Sequence, residues 1–522
     1  MKSKKTIRTV FMAILVLTCT VVSAQMSTKQ IDELVETALD KFGVAGASVG
    51  VVKDGEIMFV KGYGVKSIES KDPVDENTPF AIASLSKAFT TAALSILVEE
   101  GKLGWNDKVT QHIPEFKMYN SYVTENFNIK DLLTHRSGLG LGVGDLMGFP
   151  DGGNFTIDDV LQSFQYFEPQ SAFRTQFDYD NLLYWVAGEV IKRASGMEWE
   201  DFVDQRILNP LQMDHSYPSL SKIEDLNSIA IPHIREGNNI RAIQHFKESV
   251  NGAAGGIQSS ASDMCKWMLV QLNAGKYGAN LEQQLFSKKS QHEMWKINTV
   301  VDAGKDPRYN SHFFGYGLGW FLNDMKGNLS VSHTGGLPGM LSKLWLVPDI
   351  DLGIIILTNT SEAGGAFFSA VSKTIVDSYL GLEPINWTDQ YVKMLQERQD
   401  QGDTVTEKVW ETVESNKNVS LTHQDYTGTY KDKWFGSIEI YEQNGNLWFK
   451  AERSPKLMGQ MFFYKANTFA IKWVDRDLQA DAFASFILDE EGKASEIKMK
   501  GISPNMDFSY DFHDLKLVRV DH

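Results

Sequence analysis

The chain has 522 residues, 42% hydrophobic and 23% charged, enough for two or more domains with a large buried core. Its formal net charge of −16, with no basic patch interleaved with aromatics, argues against a nucleic-acid partner.

Lys2, Lys4, Lys5 and Arg8 form a positive start, and the apolar run Val10 to Val22 is short for a membrane span. Val22, Ser23 and Ala24 then place small residues before Gln25. This predicts a signal peptide over residues 1–24, a periplasmic or secreted protein, and no stable membrane span after cleavage. Its loss removes four basic residues and no acidic one, which takes the charge from −16 to −20. Cys19 leaves with it and Cys265 remains alone, so no intramolecular disulfide forms. Export without disulfides suits a bacterial periplasm. Cys265, on a helical pattern, reads as a small buried hydrophobe.

Ile31 to Phe42 has the spacing of an amphipathic helix. Strands follow at Gly46 to Val52 and Ile57 to Tyr63, joined by a turn at Lys53 to Glu56. A long apolar helix opens at Ser84 and stops at Gly101. Residues 104–310 read mostly as helix and loop, with helical spacing at Asp158 to Phe167, Leu182 to Ala194 and Ala261 to Asn273. Gly140 to Gly153 is glycine-rich and reads as a mobile loop. Strand character returns at Gly317 to Leu322, Leu329 to His333, Met340 to Val347 and Leu352 to Thr358, and Phe367 to Leu380 is helical. The fold class is therefore α+β over residues 25–385: an antiparallel sheet from the first and last parts, flanked by helices, with an inserted all-helical region. Residues 386–420 read as a polar, partly helical connector. Repeated hairpins over residues 421–522 predict a small antiparallel β-barrel domain.

Ser84 and Lys87 lie one helical turn apart on one face, in an apolar setting. That pairing activates a serine without histidine, provided the amine is neutral. The same spacing recurs at Ser219 and Lys222, but in a polar stretch that reads as coincidence. Tyr179-Asp180-Asn181 precedes a helical run, and His333-Thr334-Gly335, followed by Gly336, ends a strand. Alone, Tyr179 reads as a core aromatic and His333 as a backbone-bonded strand end; it is the order of the three groups that is specific.

In that order, and in the flanking stretches Phe80 to Thr90, Leu132 to Leu139, Phe177 to Ile191, Ala254 to Met264, Tyr316 to Trp320 and Ser332 to Gly339, the chain resembles the serine β-lactamase and penicillin-binding superfamily. It is most similar to the class C β-lactamase, D-Ala-D-Ala carboxypeptidase and esterase-like branch, over roughly residues 30 to 385. The C-terminal hairpins, with Tyr426 to Tyr430 near their start, resemble a lipocalin-like appendage. The resemblance implies a serine hydrolase with Ser84 as nucleophile and Lys87 and Tyr179 sharing the proton traffic, either being the formal base. It implies an oxyanion site from the backbone N–H groups of Ser84 and Gly336. Asn181 would contact Lys87 and donate to a substrate carbonyl, Thr334 would bond an acid group, and Gly335 and Gly336 would leave a substrate unobstructed. His333 departs from the commoner lysine, which weakens binding of a substrate carboxylate.

His135 reads as a loop-shaping residue. Asp145, Asp151, Asp158 and Asp159 read as solvated or capping groups rather than a metal cluster, and no His-x-x-x-His or Cys-x-x-Cys spacing occurs. No cofactor and no metal is expected. The reading is an exported hydrolase of ester or amide bonds, including D-amino-acid peptides or β-lactams. The alternative is a slow-acylating penicillin-binding or ligand-sensing protein without efficient turnover. Pocket walls near residues 140 to 155 and 235 to 255 are expected to set the substrate, and oligomeric state is not legible.

Overall fold

Two stretches of the sequence are apolar without alternation, around Val49 to Val52 and Ile354 to Leu357. Such runs form strands covered on both faces. The structure is a computed structural model and describes residues 25–236, 239–248, 250–304, 306–416 and 423–520. The predicted signal peptide, with Cys19, lies outside them.

The two runs are β1 (Gly46–Lys53) and β8 (Leu352–Thr358), adjacent interior strands of an eight-stranded antiparallel sheet. The other strands are β2 (Glu56–Gly64), β3 (Thr299–Val301), β4 (Phe314–Tyr316), β5 (Phe321–Met325), β6 (Asn328–Leu337) and β7 (Met340–Val347). Their order is β2-β1-β8-β7-β6-β5-β4-β3. Asp54 and Gly55, at φ 53° and 79°, make the tight turn between β1 and β2.

Helices α1 (Thr28–Phe42) and α6 (Ala363–Tyr379) cover one face of the sheet. Ile31, Val35 and Phe42 pack there with Phe367, Val371 and Ile375. Helix α1 begins in a capping box between Ser27 and Gln30 and ends at left-handed Gly43. The other face carries α2 (Ser86–Glu99), α3 (Ile157–Ser163), α4 (Leu182–Ser195) and α5 (Ala261–Leu272), which share one large apolar cluster. Phe89 of α2 stacks on Trp267 of α5 with ring centroids 4.0 Å apart. The inserted region is mainly helical but also holds short ribbons, such as His233–Glu236 with Asn239–Ala242.

One strand expectation is corrected. Gly317 to Trp320 is the turn between β4 and β5, closed by Gly317 N–H to Trp320 O at 2.8 Å with Gly319 at φ 82°, and only Phe321 and Leu322 of the expected strand are extended, as the start of β5. A Cβ on Gly319 would lie 3.1 Å from Lys87 O, so this turn packs directly on the first turn of α2.

Beyond α6, α7 (Trp387–Gln401) and α8 (Thr404–Ser415) lead to a closed antiparallel barrel. Its strands are β9 (Gly428–Asp432), β10 (Gly436–Gln443), β11 (Asn446–Ala451), β12 (Met458–Lys465), β13 (Thr468–Trp473), β14 (Ala482–Leu488), β15 (Ala494–Gly501) and β16 (Leu517–Arg519). Each pairs with the next, and β16 closes on β9. Alternating apolar residues fill its inside; Ile438, Ile440, Phe449, Ile471 and Trp473 are all buried. The barrel is not a separate bead. Trp434 and Phe435 meet Phe167 and Phe155 at 5.3 and 5.7 Å between ring centroids, and Arg453 forks onto Asp159 at 2.8 and 2.7 Å.

The contact of β1 with α5 admits no side chain at Gly50: a Cβ there would lie 2.4 Å from Cys265 Sγ and 2.8 Å from Ile355 Cγ2. We expect Gly50→Ala to cost about 1–3 kcal/mol in urea denaturation, and Cys265→Ala in the same chain to recover part of it. An unchanged midpoint for Gly50→Ala would refute this packing.

Candidate active site

Ser84 sits in a 3-10 turn, Ala83–Leu85, that runs straight into α2. Ala83 has φ 49°, a left-handed conformation unusual for a residue with a Cβ. Three long-range bonds hold this bend. Ile82 N–H donates to Ile257 O at 3.0 Å, Ser342 Oγ donates to Ile82 O at 2.8 Å, and Ile257 N–H donates to Ser86 Oγ at 3.1 Å. A Cβ at Gly335 would lie 2.1 Å from Ile82 O. Gly335 is therefore required for β6 to approach the turn; both it and Gly336 line the cavity, and Gly336 is the exposed one of the two.

Lys87 is fully buried. Its Nζ lies 2.8 Å from Asn181 Oδ1, 2.9 Å from Ala254 O and 3.2 Å from Ser84 Oγ. The rings of Tyr179 and Tyr184 enclose it, with centroids 4.9 and 5.1 Å away. Burial drives its pKa from 10.5 down to about 7, against the opposing pull of Asp145 and Asp180. A neutral amine has two N–H groups and one lone pair. The two carbonyl oxygens take both N–H groups, which turns the lone pair toward Ser84.

Tyr179 is half-buried and its phenol interacts with the Ser84 side chain; desolvation raises its pKa, so it stays protonated. His135 holds it. The His135 ring lies 4.1 Å from the Tyr179 ring, its Nδ1 accepts from Asp180 N–H at 3.1 Å, and its carbonyl accepts from Asp178 N–H at 2.9 Å. His333 lines the cavity with its ring only. Nδ1 donates to Thr334 O at 2.6 Å, and Nε2 accepts from Tyr316 OH at 3.0 Å. Burial, and then the charge of Lys87, pushes its pKa down to about 3, so it offers no positive charge to an anion. Strand β5 pairs with β6 only as far as Ser332, so the edge of β6 from His333 to Leu337 is left free beside Ser84. Thr334 and Gly336 are exposed there.

The structure thus brings Ser84, Lys87, Tyr179, Asn181, His333, Thr334, Gly335 and Gly336 around one cleft. Lys222 of the second Ser-x-x-Lys is exposed and pairs with Asp201 at 3.1 Å. Asp145 corrects the expectation of a solvated group. It is fully buried, and its Oδ2 accepts from Asn181 Nδ2 at 2.8 Å, which orients the amide so that Oδ1 faces Lys87. Burial raises its pKa well above the usual range and raises that of Asp180 to about 7. Asp151 and Asp159 bind Lys456 and Arg453 of the barrel. The glycine-rich segment is therefore pinned rather than loose: Gly144 and Leu146 N–H also donate to Asp511 at 2.6 and 2.9 Å. No local signal marks these partners, because they lie hundreds of residues away.

The cleft opens into a cavity of about 470 Å³. Phe149, Phe177, Phe246, Phe321, Phe368 and Phe508 dominate its walls, Glu248 and Asp507 are its acidic groups, and no lysine or arginine lines it among the described residues.

A family model described as Beta-lactamase matches residues 31–370, and one described as a domain of unknown function (DUF3471) matches residues 414–519. The chain is 25% identical over 481 residues to Unguisins hydrolase ungD' from Aspergillus campestris (strain IBT 28561), covering 89% of this chain and 88% of that protein. Among solved structures, the octameric penicillin-binding protein homologue from Pyrococcus abyssi superposes with TM-score 0.60 at 20% identity, over 95% of this chain and 100% of that one. The D-amino acid amidase from Ochrobactrum anthropi SV3, complexed with D-phenylalanine, gives 0.54 at 20% identity over 67% and 98%. Both structural likenesses show a shared fold.

The burial of Lys87 has a pH signature. Below pH 7 it is charged in both native and unfolded chains, and its desolvation cost, on the order of 5 kcal/mol, is fully present. Between pH 7 and 10.5 the native amine is neutral while the unfolded one still holds its proton, so stability rises with pH. Relative to Lys87→Met, the wild type should gain up to about 1.4 kcal/mol per pH unit above pH 7 in chemical denaturation. A pH-independent difference would show that the amine is not desolvated.

Proposed function

The chain belongs to the β-lactamase family and is a serine hydrolase, and on that premise we propose that it cleaves esters or amides of uncharged, apolar acyl groups through an acyl-enzyme at Ser84. The observation that carries this reading is the stereochemistry of Lys87, whose two carbonyl partners leave its lone pair for the Ser84 hydroxyl. Ser84 Oγ attacks the substrate carbonyl carbon as Lys87 Nζ takes its proton. The developing oxyanion is met by the backbone N–H groups of Ser84 and Gly336. Tyr179, kept as a phenol by burial, passes a proton to the leaving oxygen or nitrogen and is resupplied from Lys87. Water then attacks the ester carbonyl by the same route in reverse, which regenerates Ser84.

Substrate class follows from charge and shape. A cavity walled by phenylalanines, with no lysine or arginine among its described lining residues, gives a substrate carboxylate no cationic partner, and Glu248, whose pKa burial raises to about 8, is uncharged at neutral pH. The neutral His333 removes the cation that would otherwise bind one. This favours neutral esters and amides, including amides of N-acylated D-amino acids, over β-lactams, whose carboxylate finds no partner. The packed interior of the barrel does not favour a ligand-sensing role for that part. Export is part of the proposal and rests on the basic, apolar and small-residue order of residues 1–24.

Nitrophenyl esters of aromatic acids should be turned over at least roughly tenfold faster in kcat/KM than a chromogenic cephalosporin. Ser84→Ala should abolish turnover and labelling by a fluorophosphonate; undiminished hydrolysis in that variant would reject the nucleophile. Because the base is the neutral form of an amine with pKa about 7, kcat/KM should rise from pH 6 to 8 and level off above. A flat profile would remove Lys87 from that role. Mass spectrometry of the protein exported by its host should give a chain that starts at Gln25, and an intact Met1 there would contradict export by cleavage.

A further inference from the structure

The segment between β15 and β16 leaves the barrel and enters the cleft. Asp507, Phe508 and Ser509 line the same cavity as Ser84, Tyr179 and Asn181. Ser509 is buried, and its Oγ donates to Asp145 Oδ2 at 2.9 Å, from a position 364 residues away in sequence. That oxygen is the one that accepts from Asn181 Nδ2 at 2.8 Å. A continuous chain of side-chain bonds therefore runs from Ser509 through Asp145 and Asn181 to Lys87 and Ser84. Phe508 keeps 39% of its surface exposed although its neighbours Ser509 and Tyr510 are buried, so its ring is presented to the cavity. It meets the Tyr179 ring edge-on, with centroids 5.9 Å apart. The segment is anchored on both sides. Asp511 accepts from Gly144 and Leu146 N–H, and Gly142, whose N–H donates to Tyr179 O at 2.8 Å, has no room for a Cβ beside Phe508.

We infer that the C-terminal barrel completes the hydrolase site, with Ser509 as a positioning residue that holds Lys87 through Asp145 and Asn181, and Phe508 as a wall that selects the acyl group. The inference rests on the acyl-enzyme reading above. Its logic is geometric. Asn181 can present either its oxygen or its nitrogen to Lys87, and only the oxygen leaves the amine's lone pair on the Ser84 side. Asp145 selects that orientation by accepting from the amide nitrogen, and Ser509 fixes the oxygen that does so. Among the described residues, the charged and titratable groups facing this chain are Lys87, Asp180, Asp511, Tyr179, Tyr184, His135 and His333; Ser509 itself does not titrate.

The test uses the full chain and nitrophenyl esters. Ser509→Ala should lower kcat about tenfold with KM little changed and displace the acid limb of the kcat/KM profile, and Ser509→Thr should restore both. Phe508→Ala should reduce the preference for a phenylacetyl over an acetyl ester about tenfold, with Phe508→Leu intermediate. Melting temperatures of all four variants identify any that fail to fold, and the Thr and Leu variants then carry the comparison. If Ser84→Ala abolishes turnover while the Ser509 and Phe508 variants keep the wild-type pH profile and acyl preference, the barrel has no part in the site and this inference falls alone. If Ser84→Ala retains turnover, the acyl-enzyme reading fails and takes the inference with it.

Discussion

One desolvated amine sets the terms for the rest of this molecule. An exposed lysine is charged at neutral pH and cannot accept a proton from serine. Lys87 can, because α2 is buried on every side and its Nζ has only two carbonyl oxygens, one hydroxyl and aromatic faces around it. Keeping that amine dry requires Tyr179, Tyr184 and the 252–255 turn to close over it. Each comes from a different part of the chain.

The sheet serves this closure. The interior strands β1 and β8 are buried on both faces, so the platform is rigid and its free edge is defined. The short pairing of β5 with β6 ends at Ser332 and leaves the next residues of β6 facing Ser84. Gly335 lets that strand press against Ile82 O, and the left-handed Ala83 then turns Ser84 outward. Local strain at a reactive serine persists because the surrounding bonds over-determine it. His333 spends both ring nitrogens on its own strand and on Tyr316. The cleft therefore combines a basic centre with neutral to acidic walls.

The barrel belongs to the same energetic unit. Its aromatics Trp434 and Phe435 join the apolar cluster that includes α3 and α4, and its ion pairs fall on the segment that carries Asp145. That continuity explains why a glycine-rich stretch is held in place. Gly144 adopts φ 77°, and the bend it allows aims the N–H groups of residues 144 and 146 at Asp511. Composition pointed to a loose loop; tertiary contacts pin it.

Much of the architecture was legible because it is local. Unbroken apolar runs marked β1 and β8, helical spacing marked α4 and α5, and alternation with turn residues marked the barrel hairpins. The strand expected at Gly317 to Leu322 begins only at Phe321, because Gly319 adopts a left-handed turn before it, and apolar content alone does not distinguish a turn packed on α2 from a strand. The three-residue spacing of Ser84 and Lys87 is likewise local, since one helical turn aligns them whatever else the chain does. What the sequence by itself determined was this set of reactive groups and the elements that carry them. Only the tertiary structure decided the protonation of Lys87, the orientation of Asn181 by Asp145, and the arrival of Ser509 and Phe508. Desolvation and hydrogen-bond partnership arise from segments far apart in the chain, and no window of sequence contains them.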